Sequence, residues 1–390
     1  MNFPRFWTAP TEFGPPGRAE RGGLRLTRIQ LVFCGLLLAA VLILDLPPLF
    51  EAQAIILAAS MFAVIVSVPL VMRLAFFLNA VDRPDARRIH REPTPRLGGP
   101  AVGFGVLFAL FLASMRYMPN LRALFLGSFL MMAVGVADDI RPVKAWIKLL
   151  FQLAACAIVI ADGIHITFLP PVGWGVPGRW LITAFWIVGI TNAVNFLDGM
   201  DGLLASLVMG TGLIYLLLSL ALGSNMLGYC SVALFGAAFG FLGYNIKPAR
   251  IFLGDGGSTF LGFFLAVLSV QGSWARNNPL VSFFIPILVL SVPIFDMVFT
   301  TCARIASGRV RSFREWIEYA GKDHLHHRLE ALGLTRGQVV LTIAFLNVAV
   351  GLGAVVLIDA GTLGGIVLLV QAACVYAVIA LLDILGRRKG

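Results

Sequence analysis

Charge is what this chain lacks most. Asp, Glu, Lys and Arg make up only 13% of its 390 residues, against 59% apolar residues. A soluble domain carries roughly 25% charged residues. The mean hydropathy is +0.90. These values exclude a soluble globule of this length and a disordered chain. Strictly alternating apolar and polar runs are also missing, which argues against a β-barrel. The five cysteines are scattered through apolar runs without a CxxC, so no disulfide framework or cysteine zinc site is expected. No Gly-Lys-Ser/Thr completes a Walker A loop, and no zincin helix is present. What remains is an all-α polytopic membrane protein.

Twelve apolar segments reach, or nearly reach, the length needed to cross ~30 Å of hydrocarbon. They are 31–46, 52–78, 98–114, 121–137, 145–160, 180–194, 203–222, 227–244, 258–271, 280–301, 339–358 and 362–385. An even count puts both termini on one side. Of the 30 lysines and arginines, 25 fall in the termini and one set of loops, and 4 in the opposite loops. That bias places both termini in the cytoplasm and explains the net charge of +10 without a nucleic-acid partner. Segment 31–46 follows a basic stretch as a signal peptide would, but Asp45-Leu46-Pro47-Pro48 is a poor cleavage site, so a retained helix is expected. The chain divides into a basic flexible tail (1–27), an extra N-terminal helix (28–50), a transmembrane core (51–358) and a C-terminal helix with a basic tail (359–390). The stretch 164–173 alternates briefly and predicts a small hairpin on the outer face. No internal repeat is visible.

The acidic residues sit at the cytoplasmic ends of spans. Asp138-Asp139 closes the fourth segment, Asn192, Asn195, Asp198 and Asp201 close the sixth, and Asp255 opens the ninth. Asp296 lies inside the tenth, and Asp323, His324, His326 and His327 lie in the longest cytoplasmic loop. A carboxylate at bilayer depth costs ~2.5–3.5 kcal/mol, and neighbouring carboxylates repel. A set of them at one membrane face therefore points to a cation or a basic substrate. Asp198 and Asp201 are three apart and share a face of a helical turn. Phe252-Leu253-Gly254-Asp255-Gly256-Gly257-Ser258 precedes a helix whose free N–H groups can take an anionic oxygen; alone, Asp255 reads equally as an N-cap. Asp138-Asp139 opens like an aspartate-rich diphosphate site, but Pro142 stands where the last Asp belongs. The histidines lie among arginines and suit phosphate better than zinc. Arg83-Pro84-Asp85 and Pro95-Arg96-Leu97-Gly98-Gly99 form a basic loop with a glycine pair fit for close approach. Carboxylates for Mg²⁺, basic groups for phosphate and an apolar surround together suit phosphoryl transfer at a membrane surface.

Five ordered blocks carry a resemblance. They are DRPDARRIHREPTPRLGG, ADD with Lys148 and Gln152 after it, NAVNFLDGMDGL, YNIKPARIFLGDGGS, and PIFD followed by DHLHHRLEALGLT. Over roughly 52–340 the chain resembles the polyprenyl-phosphate N-acetylhexosamine-1-phosphate transferases of bacterial inner membranes, whose core has ten spans. The resemblance implies attack of a polyprenyl phosphate on a UDP-sugar with Mg²⁺ (Mn²⁺ substituting), giving polyprenyl-diphospho-sugar and UMP. It implies Asp255 as the metal ligand. Asp138 and Asp139 are implied as the pair that deprotonates or positions the lipid phosphate. Asn195, Asp198 and Asp201 are implied as nucleotide-sugar and catalytic residues, and Asn245 and Phe252 as uridine contacts. His324, His326 and His327 are implied as pyrophosphate partners, with Asn192, Arg96 and Lys148 among the substrate-binding residues. His-Leu-His-His is similar to the branch using UDP-N-acetylglucosamine and undecaprenyl phosphate; the UDP-MurNAc-pentapeptide branch usually has three consecutive histidines, and the same chemistry with that donor or another UDP-HexNAc is the alternative. The resemblance also implies a homodimer, and the basic tail fits lipid headgroups. The competing class is a secondary transporter, which twelve spans invite; its carboxylates would sit at the midplane, not at the rim.

Overall fold

The computed structural model describes residues 18–387 except 45, 83–92, 117–120, 168–171, 273, 275–277, 313–314, 316–318, 320 and 322. The tail 1–17, Arg83-Pro84-Asp85, Arg314, Lys322 and the middle of the expected outer hairpin lie outside the described residues. Each of the twelve apolar segments falls on a helix or a helix pair. Among the described residues, by length and composition, eight helices can cross a membrane, or nine if one bent pair counts as a single span. The chain is a multi-pass membrane protein, and the expectation of twelve spans is met only at that coarser level. Large apolar side chains such as Leu42, Phe185, Phe345 and Leu363 stand exposed on its outside, as contact with hydrocarbon requires.

Helix α1 (Arg18–Ile43) starts inside the stretch expected to be a flexible tail; Arg, Ala, Glu and Leu outweigh Gly22-Gly23 in helix propensity. It packs on α2 (Pro48–Phe77) and α8 (Asn225–Asn245). There the Gln30 amide donates to the Phe239 carbonyl at 2.6 Å. Helices α3 (Gly98–Arg116), α4 (Arg122–Ile140), α5 (Ala145–Ala161), α6 (Gly175–Phe196) and α7 (Leu203–Leu222) follow in order. A two-residue ribbon, β1 (Val81–Asp82) with β2 (Thr94–Pro95), pairs antiparallel just before α3. No alternation signalled it, because two-residue strands carry no period. The expected outer hairpin has no strand among the described residues of 164–173.

Helix α9 (Gly254–Gln271) is the centre of the molecule, walled by α3, α4 and α6. Glycines let these backbones meet. A Cβ on Gly99 would strike Gly257, one on Gly135 would strike Asp255, and one on Gly262 would strike Thr191. Small residues of this kind are how membrane helices approach closely.

The tenth segment is two helices, not one. α10 (Pro279–Val289) and α11 (Ser291–Ala306) meet at an angle of 81°. Pro293 lacks the N–H that would reach back to Val289, so a continuous helix is interrupted there. Helices α12 (Leu325–Ala331), α13 (Arg336–Gly351), α14 (Gly353–Val356) and α15 (Thr362–Arg387) complete the chain. α13 opens with a capping box between Thr335 and Gln338.

Candidate active site

The site gathers where α4 ends and α9 begins. Leu253, at the N-cap of α9, has no side chain that can accept a hydrogen bond. Asp139 of α4 supplies one instead: its two oxygens accept from Asp255 N and Gly256 N, both at 2.9 Å. The backbone turns in through Gly254 at φ +74°, where a Cβ would meet the Arg96 carbonyl and the Asp139 carboxylate. Asp138, one residue earlier, faces elsewhere. It accepts from Val143 N at 2.6 Å and from Lys148 Nζ at 3.0 Å. Lys148 also reaches Asp255 Oδ2 at 3.0 Å, so one ammonium joins two carboxylates.

Three strands of irregular chain brace this centre. Gly98 N and Gly99 N donate to the carbonyls of Phe252 and Leu253, and Phe252 N donates to the Pro95 carbonyl. Asn245 accepts from Gly202 N at 2.8 Å and donates to the Ile251 carbonyl at 2.9 Å. Asp201 accepts from Ala249 N at 3.1 Å. Asn245 and Asp201 thus tie the turn before α7 to the loop before α9. The turn itself needs Gly202, at φ +77°. Asn195 accepts from Ser258 Oγ at 2.6 Å, and Asn192 exchanges amide hydrogen bonds with Gln152 at 3.0 and 3.2 Å. Asp198 keeps partial solvent access. Desolvation by the surrounding chain, followed by the charges of Asp255 and Asp139, pushes its carboxyl up to about 8, against the pull of Arg96.

The histidine loop is held from α11. Asp296 accepts from Leu325 N and takes His324 Nδ1 at 2.7 Å. Arg304 grips the Asp323 carboxylate with two bonds of 2.9 and 2.6 Å and faces His324 Nε2 at 3.3 Å. Burial works to raise Asp323, but the Arg304 bonds and charge hold its carboxyl below the usual range. Phe196, at the end of α6, stacks on His324 with centroids 4.9 Å apart. His326 lies against Gly199 and 4.2 Å from the His327 ring. It is buried, and neither ring nitrogen has a hydrogen-bond partner among the described residues.

A groove of about 250 Å³ links these parts. Lys148, Asn192, Asn195, Arg304 and His324 line it with Gln152, Thr300 and Thr301, and Leu149, Phe185, Val188 and Met297 are among its apolar lining. The expected residues Lys148, Asn192, Asn195 and His324 therefore meet in one cavity. Asp138 and Asp255 join through Lys148, Asp198 through its field, and His326 through Gly199. Asn245, Asp201 and Asp139 spend hydrogen-bonding capacity on backbone. Among the described residues no three His, Cys, Asp or Glu form a ready metal cage. Five carboxylates (Asp138, Asp139, Asp198, Asp201 and Asp255) nevertheless stand against Lys148 and Arg96. Such an excess fits a divalent cation, and Mg²⁺ needs only one or two protein carboxylates when phosphates supply the rest. Sequence reasoning missed Ser258, Phe196 and Asp383, the last of which binds Arg328 of α12 at 2.6 Å. A lone carboxylate in the apolar run of α15 was the available signal.

Residues 121–273 match the glycosyl transferase family 4 profile. A Bacillus subtilis protein named "Probable undecaprenyl-phosphate N-acetylglucosaminyl 1-phosphate transferase" is 34% identical over 76% of this chain and 83% of its own length. A Mycobacterium tuberculosis decaprenyl-phosphate N-acetylglucosaminephosphotransferase is 32% identical over 76% of this chain and 80% of its own. A phospho-N-acetylmuramoyl-pentapeptide-transferase of Symbiobacterium thermophilum is 31% identical over 70% of this chain and 85% of its own. All three are named as transferases, which removes the transporter reading. With identity at this level across three quarters of its length, the chain belongs to glycosyl transferase family 4 and is an enzyme.

Proposed function

We propose that the chain transfers N-acetylglucosamine 1-phosphate from UDP-N-acetylglucosamine to undecaprenyl phosphate at the cytoplasmic face of the bacterial inner membrane. The observation that carries this reading is the groove, which sets the polar ends of Lys148, Asn195 and His324 beside the apolar side chains of Leu149, Phe185, Val188 and Met297. A phosphate with a long hydrocarbon tail matches both ends. A lipid phosphate oxygen forms a bond to the β-phosphorus of the donor. The bond from that phosphorus to the bridging oxygen breaks, and UMP leaves with the electron pair.

Lys148 has three N–H groups, and among the described residues two go to Asp138 and Asp255. A third is left over for a substrate phosphate. Asp198, whose carboxyl is raised toward neutrality, is suited to exchange a proton near that phosphate. His326 backs the turn at Gly199, beside Asp198. Asp255 would hold Mg²⁺ with substrate phosphates, and the ion supplies charge neutralisation for the departing nucleotide.

A second donor is kept because of one observation: a pentapeptide transferase matches at 31% identity. UMP release by the detergent-purified chain separates the two. Undecaprenyl phosphate and Mg²⁺ are supplied with either UDP-N-acetylglucosamine or UDP-MurNAc-pentapeptide. UMP is expected from the first donor alone, and is expected to vanish with EDTA or in Asp255→Asn. Equal rates on the peptide donor would overturn the donor assignment, and near-normal turnover in Asp255→Asn would overturn the metal assignment.

A further inference from the structure

Six ionisable side chains are buried together around the histidine loop. Asp296, Arg304, Asp323, His324, Arg328 and Asp383 are each at most 7% exposed. They form one connected set. Asp296 and Arg304 come from α11, Asp323 and His324 from the loop, Arg328 from α12 and Asp383 from α15. Arg304 holds Asp323 by its carboxylate. Arg328 holds the same residue by its backbone, since Arg328 Nε donates to the Asp323 carbonyl at 2.5 Å. The Arg328 guanidinium also lies 4.5 Å over the Phe299 ring. Its Nη1 ends on Asp383 Oδ2 at 2.6 Å.

The order of dependence runs inward from α15. A buried guanidinium is strongly disfavoured without a counter-charge. Asp383 supplies one, and this leaves Arg328 Nε aimed at the Asp323 carbonyl. With its carbonyl and carboxylate both held, Asp323 fixes the step into His324, and His324 lines the groove. Helix α15 makes its other contact with this region through Tyr376, which stacks on Phe295 at 4.5 Å and shares a 2.8 Å hydrogen bond with Ser291. Both lie on α11, so α15 is braced against the helix that carries Asp296 and Arg304.

We infer that Asp383 is a positioning residue of the transfer reaction: through Arg328 it sets the start of the histidine helix. The inference rests on the function proposed above. It assigns a catalytic consequence to a helix beyond the residues matched by the family profile.

The test uses the full chain in detergent with two readouts. One is backbone hydrogen exchange over 323–331. The other is UMP release titrated with UDP-N-acetylglucosamine. Asp383→Asn is expected to speed exchange in that segment and to lower kcat/KM by roughly 10–100-fold, as loss of a supporting partner typically does. Asp383→Glu is expected to restore most of both. Because Asp383→Asn strands a buried arginine and can impair folding, the double variant Arg328→Met with Asp383→Leu is made beside it. Apolar replacement of a buried pair is often neutral for stability. The double variant is therefore expected to match the wild-type Tm while staying as slow as Asp383→Asn, since the Asp323 carbonyl then loses the Arg328 bond and keeps the longer one, 3.4 Å, from Thr300 Oγ1. Wild-type turnover and exchange in the double variant would overturn the inference and reduce the pair to a structural staple. Unchanged exchange and kcat/KM in Asp383→Asn would also overturn it. If the wild-type chain releases no UMP from either donor, the proposed function falls. The exchange comparison then still decides whether Asp383 holds the loop.

Discussion

His326 is 1% exposed and its ring nitrogens face no partner among the described residues. Burial first, then the neighbouring charges of His327, His324 and Arg336, lowers its pKa from 6.5 to about 3. In the folded protein it stays neutral across ordinary pH, while the unfolded chain takes up a proton below about 6.5. Stability contributed by the neutral ring is therefore full above pH 6.5 and is lost as pH falls toward 3. Thermal unfolding in detergent is expected to show roughly 1–2 kcal/mol lost between pH 7.5 and pH 5 through this group. His326→Gln is expected to flatten that part of the profile, and a profile unchanged by the substitution would remove His326 as its cause. Adjacent residues can differ just as sharply. Asp138 and Asp139 read as one acidic pair in the sequence, yet one carboxylate meets Lys148 and the other caps a helix through Asp255 N, 116 residues later. Which partner each would find was not legible, because one is set by the packing of α4 on α5 and the other by the packing of α4 on α9.

At the scale of elements, hydrophobic runs map directly onto helices because hydrocarbon leaves the backbone no other way to satisfy its hydrogen bonds. That is why the helices were legible. The bend between α10 and α11 was written in Pro293, but a window of average hydropathy passes over a single missing N–H. The close approach of α3 and α9 was half legible: the glycines of 98–99 and 254–257 announced it without naming each other as partners. A Cβ at Gly99 would collide with the Gly257 backbone, which has no flexible end to move aside. Gly99→Ala is expected to cost about 1–3 kcal/mol of stability and to displace the start of α9, together with Asp255. Thermal unfolding and UMP release measure the two effects, and a variant with wild-type Tm would refute the contact.

At the scale of the molecule, the direction of insertion remains a matter of charge. The 25-to-4 distribution of basic residues supports cytoplasmic termini. Among the described residues eight long apolar helices, with the shorter or less apolar α5, α6 and α9 and the broken α10–α11 between them, make an even twelve if each crosses, which would put both termini on one side. Green fluorescent protein fused at either end is expected to fluoresce, and alkaline phosphatase inserted after Gly173 is expected to be active. Fluorescence at one end alone would require an odd count.

The pairing of Arg328 with Asp383 also has a consequence in time. The two are 55 residues apart, so a ribosome working at about 5–20 residues per second makes the aspartate roughly 3–11 s after the arginine. Throughout that interval the arginine lacks its counter-charge from α15. The histidine loop must then be finished after the rest of the catalytic core has already entered the membrane. A nascent chain stalled between the two helices would be inserted, largely folded and idle.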